Sequence, residues 1–210
     1  MYPKVRMRVK YILFYVWLLC LTNCAEVNKD FSTPEWTTGA EITAALMETS
    51  ILVEWPAVDV DDLKEYHVYI EDEVIAVVDG EQLSYRLENL TPAQEYIIAI
   101  RARDQAGNFS VAPLRARVRT TDDTPPIWEE PSLTASIIDD SSVLLSWSGA
   151  RDNVSVSGYL LYRDGILTQR LTTDQESYTW TSLNPGQSYT VTIQSIDGEG
   201  LQSSDGPSTT

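Results

Sequence analysis

The stretch LTPAQEYIIAIRARD, Leu90 to Asp104, returns as LNPGQSYTVTIQSID, Leu183 to Asp197. Each copy opens on Leu, one residue and Pro, with a Tyr four positions later, and then alternates. Tyr96, Ile98, Ile100 and Ala102 fall on one side and Arg101 and Arg103 on the other; Tyr189, Val191 and Ile193 oppose Thr190, Thr192 and Gln194. A period of two over such a run predicts a half-buried β-strand. Outward from it the match continues at an offset of 92 or 93 residues, pairing Trp55 with Trp147, Tyr66 with Tyr159, Tyr69 with Tyr162 and Tyr85 with Tyr178. Pro34 and Trp36 pair with Pro126 and Trp128, and these two tryptophans are expected to pack under the bend between the copies. Ile51, Val53 and Trp55, like Val143, Leu145 and Trp147, place every second residue in a core, which two sheets packed face to face would bury. The chain therefore reads as one all-β unit written twice. The copies are joined by Thr120 to Pro126, whose paired prolines favour an extended, stiff connection.

Leu90 with Tyr96, and Leu183 with Tyr189, resemble the tyrosine corner, in which the phenol hydroxyl bonds back to nearby backbone. With Trp55 and Trp147 and the run Asp104 to Ser110, they resemble fibronectin type III domains. Asp152-Asn153-Val154, Gly158-Tyr159 and Tyr162-Arg163-Asp164-Gly165 are similar to the bacterial versions attached to chitinases and other polysaccharide-degrading enzymes. The resemblance implies two tandem immunoglobulin-like β-sandwiches after a signal peptide. The expected boundaries are a signal peptide over 1–23, a tether over 24–33, a first domain over 34–121, a linker over 122–126 and a second domain over 127–210. Thr210 is the counterpart of Arg117, so the last strand of the second domain is expected to be truncated or frayed.

Lys4, Arg6, Arg8 and Lys10 precede an apolar run from Tyr11 to Leu21, the layout of a secretory signal. That run is shorter than the ~20 residues a membrane-spanning helix needs. It ends in Leu21-Thr22-Asn23-Cys24, which resembles the lipobox of bacterial lipoproteins, where the cysteine is acylated and becomes the N-terminus. Asn23 departs from the Gly, Ala or Ser usual there, and plain cleavage near Cys24 or Ala25 is the alternative. The resemblance implies an exported protein of a bacterial cell envelope, lipidated at Cys24 and placed in an outer membrane where the organism has one, or else secreted. Cys20 and Cys24 are the two cysteines, so both domains must fold without an internal disulfide.

The chain carries a formal charge of −16, and removing the four leading cations leaves 11 basic against 31 acidic side chains. Such a surface opposes nucleic acid, since it lacks the cations that neutralise phosphates. Catalytic residues are not assigned. The single histidine, His67, falls on the solvent side of a strand whose Tyr66 and Val68 point inward. The carboxylate clusters at Asp59, Asp61 and Asp62, at Glu71 to Glu73, at Asp122 and Asp123, at Glu129 and Glu130, and at Asp139 and Asp140 fall in predicted turns or linkers. No metal set or cofactor is assigned. The residual idea is Ca2+ at the linker, where Asp122 and Asp123 would meet turn carboxylates of a neighbouring loop. Tyr69 and Tyr162 are expected to face outward, where tyrosine faces can hold sugar rings, and are the candidate ligand contacts. The sequons at Asn89, Asn108 and Asn153 lie within the motifs already described.

These readings predict a non-catalytic envelope lipoprotein acting as a spacer or as a protein-interaction and adhesion module. Its expected partners are the membrane, through the lipid, and an envelope protein or polysaccharide. The alternatives are an accessory carbohydrate-binding component of an extracellular polysaccharide-degrading system and an extracellular hydrolase.

Overall fold

The computed structural model describes residues 30–210; the predicted signal peptide, Cys24 and most of the tether lie outside the described residues. Within them every regular element is a strand. The first domain holds β1 (Thr43–Leu46), β2 (Ile51–Glu54), β3 (Leu63–Ile70), β4 (Glu73–Asp79), β5 (Ser84–Leu87), β6 (Glu95–Asp104) and β7 (Leu114–Arg119). Three strands, β1-β2-β5, face four, β4-β3-β6-β7. The second domain repeats the plan with β8 (Ile127–Asp139), β9 (Ser142–Arg151), β10 (Val156–Arg163), β11 (Ile166–Thr172), β12 (Ser177–Trp180), β13 (Val191–Asp197) and β14 (Ser208–Thr209). Its sheets are β12-β9-β8 and β11-β10-β13-β14. Both domains are thus immunoglobulin-like sandwiches of antiparallel strands.

Alternation decides which residues meet between the sheets. Ile51, Val53, Tyr66, Val68, Ile98, Ile100 and Ala102 are fully buried in one core, and Leu145, Leu161 and Ile193 in the other. Each core is centred on a tyrosine between two tryptophans. The Tyr66 ring lies 5.9 Å from Trp36 and 5.6 Å from Trp55, and Tyr159 lies 6.1 Å from Trp128 and 5.5 Å from Trp147. Such pairs contribute about 0.5–1.5 kcal/mol each beyond the area they bury. Trp36 and Trp128 therefore pack inside their own domains and not under a bend between them. Their indole N–H groups donate to Ala112 O and Ser203 Oγ, polar groups of the same domain.

The turns follow their chemistry. Asp164 and Gly165, with φ of 53° and 79°, form the left-handed pair a tight hairpin needs, and Glu71 and Asp72 at 49° and 70° do the same without glycine. The corner tyrosines receive the Thr91 N–H at 2.8 Å and the Asn184 N–H at 3.1 Å. Glu129 and Glu130 do not lie in a turn. They fall inside β8, where its pairing with β9 shifts register between Trp128 and Ser132 and Glu130 takes a positive φ. The β-bulge accommodates Pro131, which cannot donate to a ladder. The last strand, β14, has two residues where its counterpart β7 has six.

Candidate functional site

Three features of the surface carry enough chemistry to be weighed. The first lies on the outer face of the β3–β6 sheet. Glu65 Oε1 sits 3.1 Å from His67 Nε2 and receives an Arg103 N–H at 2.9 Å. Phe109, from the loop after β6, covers the group: its ring stands edge-on to His67 at 4.8 Å, and the Arg101 and Arg103 guanidiniums lie 5.0 and 5.3 Å from it. His67 is thus on the outer face yet only 14% exposed, packed under a loop and not open to solvent as alternation alone suggests. His67 and the Arg103 guanidinium hold the Glu65 carboxyl below its ordinary range. The arrangement is a hydrogen-bonded cluster of Glu65, His67 and Arg103, with Arg101 Nε buried beside it and unpartnered among the described residues; it lacks a nucleophile for the histidine to serve.

The second feature is the tyrosine pair. Tyr69 and Tyr162 occupy equivalent positions in the two domains, each where pairing with the next strand shifts register, after Val68 in β3 and after Leu161 in β10. Both are half-buried. Tyr69 stacks beside His67 at 6.4 Å, and the Tyr162 hydroxyl accepts from Gln202 Nε2 at 2.9 Å. An open cleft lies at the far end of the second domain. It runs between the β8–β9 turn and the tyrosine corner, with Ile137, Val143, Trp180, Leu183 and Tyr189 in its wall.

The third feature is a pair of carboxylate triads. Asp30, Asp62 and Asp104 bring one carboxylate oxygen each within 4.8 Å of one another, and so do Asp122, Asp152 and Asp197. In both domains the first member lies ahead of the first matched tryptophan, the second in the loop between the Trp-bearing strand and the next, and the third at the end of the long corner strand. Burial, and then the Asp104 carboxylate, push Asp62 above the ordinary carboxylate range; burial, and then Asp152, do the same to Asp122. Glu48, from the β1–β2 turn, reaches the second triad's surroundings. Its Oε1 receives the Thr124 hydroxyl and the Asn153 side-chain amide, each at 2.7 Å. Arg119 and Glu199 add an ion pair across the same junction at 2.6 Å. Of the expected linker carboxylates, Asp122 joins the triad, whereas Asp123 turns to the Thr121 hydroxyl.

The fibronectin type III domain model matches residues 32–114 and 126–210. The chain belongs to the fibronectin type III family. Chitinase A1 of Niallia circulans is 31% identical over 156 residues, 72% of this chain and 22% of its own length. Exoglucanase B of Cellulomonas fimi is 32% identical over 124 residues, 56% of this chain and 11% of its own length. Chitinase Chi52 of Paenibacillus xylanexedens is 39% identical over 80 residues, 38% of this chain and 15% of its own length. The chain thus spans less than a quarter of each of these relatives.

Set against the family match, both triads straddle the edge of a fibronectin type III repeat. Asp30 and Asp122 stand just ahead of the matched stretches; within them Asp62 and Asp152 lie in loops, and Asp104 and Asp197 end β6 and β13. The sequence held two usable signals, since Asp30 with Asp122 and Asp104 with Asp197 keep the repeat register. Asp62 precedes Tyr66 by four residues, but Asp152 precedes Tyr159 by seven, so the loop members do not align and the triads escape a comparison of the copies. The sequons are also placed: the Asn108 and Asn153 amide groups are both engaged in hydrogen bonds.

Proposed function

We propose that this chain is a non-catalytic module of a bacterial cell envelope, exported, tethered through a lipid on Cys24, and acting as a spacer that presents an interaction or adhesion surface. The observation that carries the reading is the junction. Glu48 of the first repeat is bonded to the linker through Thr124 and to the second repeat through Asn153, and Arg119 pairs with Glu199. A connection pinned from both sides, with Pro125 and Pro126 after it, suits a stiff rod better than a hinge. The signal-like segment supports export, as does the likeness to repeats of chitinases and an exoglucanase. Metabolic labelling with a palmitate analogue tests the anchor. Label is expected on the wild-type chain and lost in Cys24→Ser; a Cys24→Ser protein that still takes up label refutes it.

One observation favours a second reading, an accessory role in polysaccharide capture. Tyr69 and Tyr162 recur at the same bulge of two repeats whose relatives include chitinases and an exoglucanase. Pull-down of the purified chain on insoluble chitin, cellulose and peptidoglycan decides it. Retention that is lost in the Tyr69→Ala, Tyr162→Ala double variant supports capture; no retention on any of the three leaves the spacer reading standing.

A further inference from the structure

The two carboxylate triads occupy the same place in the two repeats and are completed differently. In the first, both oxygens of Asp104 are taken by Asn108: its backbone N–H donates to Oδ1 at 2.7 Å and its side-chain amide to Oδ2 at 2.9 Å. The same amide also donates to Asp30 O at 3.1 Å, drawing the upstream arm onto the repeat. In the second repeat Leu201 stands where Asn108 stands, with the same backbone bond from the aspartate N–H to its carbonyl. A leucine side chain has no N–H to give. Asp197 Oδ1 is held by the amides of Glu199 and Leu201, but Oδ2 is buried without a hydrogen-bond partner among the described residues. Asp152 repeats the pattern, its Oδ1 bonded to the Val154 and Ser155 amides and its Oδ2 buried and unpartnered, and so is Asp122 Oδ1. Asp122 and Asp197 are 4% and 2% exposed.

A buried carboxylate oxygen with no donor bears the full cost of lost hydration, and three carboxylates converging on one point repel one another as well. None of the ion pairs among the described residues supplies a Lys or Arg to any of the three. Such a group is stable when a cation takes the place of the missing donors. We propose that Asp122, Asp152 and Asp197 bind one Ca2+ ion, which fastens the linker to the second repeat, and that the first-repeat triad, closed by Asn108, binds none.

The donor set selects the ion. All three ligands are hard oxygens with no imidazole or thiolate, which disfavours zinc and selects the calcium and magnesium class. The three oxygens lie within 4.8 Å of one another, close enough for one ion to reach all of them, and three carboxylates suit Ca2+, whereas Mg2+ keeps several waters and takes one or two carboxylates. Three carboxylates, with Glu48 adding charge at the rim, supply more than the two charges of the ion. The ligands come from the linker, the β9–β10 loop and the last residue of β13; pairing of Val156 with Asp197 already holds the last two together, so binding adds the linker to them.

Calorimetric titration of the chelator-treated full chain with CaCl2, together with thermal melts in EDTA and in Ca2+, tests the proposal. The expected result is one Ca2+ per chain, with a Kd between about 10⁻⁵ and 10⁻³ M. The second repeat's melting temperature should rise by on the order of 10 °C once Ca2+ is about a hundredfold above that Kd. Leu201→Asn, which restores the amide that closes the first triad, should abolish binding while leaving the EDTA melt at or above the wild-type value. Asp122→Asn should also abolish it. No saturable binding up to about 10 mM, far above the range of protein calcium sites, overturns the site. A Leu201→Asn protein that binds like wild type overturns the role given to the unpartnered oxygen, two ions per chain overturns the closed state of the first triad, and equal affinity for Mg2+ overturns the choice of ion.

Discussion

Asn108→Leu gives the first triad the closing residue of the second and removes one side-chain amide with its two hydrogen bonds. The side-chain amide bonds to Asp104 Oδ2 and Asp30 O are lost, while the backbone bond from residue 108 to Asp104 Oδ1 can persist. Asp104 is 1% exposed, so its second oxygen would be left buried and charged. A hydrogen bond to a charged acceptor contributes about 1.5–3 kcal/mol. The exposed bond to Asp30 O adds little, and Asp30 and Asp62 at the rim let water moderate the penalty, which sets the expected loss near 2 kcal/mol. For a domain of this size that lowers the melting temperature by roughly 8–16 °C. The assay is a calorimetric melt of the full chain in EDTA, following the transition of the first repeat against an unchanged second. If the triads differ only in the donor at this position, the variant should also recover part of the loss in millimolar Ca2+ and titrate with two ions. An EDTA melt within a degree or two of wild type would refute the reasoning, because Asp104 would then not depend on Asn108.

Two further substitutions probe the frame around the sites. In Gly206→Ala the new Cβ would collide with Ile193 O, a backbone atom of β13, so the last segment must move. A loss of about 2–4 kcal/mol in urea unfolding, with faster amide exchange along the Val191–Thr209 pairing, is expected. Glu65 sets a pH dependence. Its carboxyl titrates below the ordinary 4.5 in the folded chain, held there by His67 and then Arg103, so its contribution is complete above that pH and is lost as pH falls through the folded value. Between pH 6 and pH 3 wild type should lose about 1 kcal/mol more stability than Glu65→Gln; parallel pH profiles would count against the cluster.

How much of this was legible in the sequence depends on the range of the interaction. Strand alternation and the Leu90–Tyr96 and Leu183–Tyr189 corners are local, so reading the two copies against each other was enough to place both sandwiches. Trp55 and Trp147 were placed in cores by the same alternation. Trp36 and Trp128 were not, because their partners Tyr66 and Tyr159 are brought to them by sheet packing, which position along the chain does not encode. Phe109 over His67 is of the same kind: alternation puts the histidine outside, but only the path of the loop after β6 says what covers it. Glu129 and Glu130 read as turn residues because a bulge around Pro131 has turn chemistry within a strand. The triads were hardest, since each takes its carboxylates from three segments and the loop member slips register between the copies.

Those triads bear on how a tandem array is held straight. At one pole of each repeat an aspartate on the entering arm, Asp30 or Asp122, meets one loop carboxylate and one at the end of the corner strand. Convergent like charges would push the arm away unless something answers them. The first repeat answers with an amide that belongs to the fold, so its arm is fastened whenever the domain is folded. On the proposal above the second repeat answers with an ion, so Ca2+ adds a further fastening of the linker to the contacts that Glu48 and Arg119 already make across the joint. A single loop residue, Asn108 or Leu201, then decides whether that fastening is permanent or conditional. If the chain is displayed from an envelope as proposed, the arm ahead of the first repeat is fastened whenever that repeat is folded, while the hold of the linker on the second repeat responds to the Ca2+ of the medium.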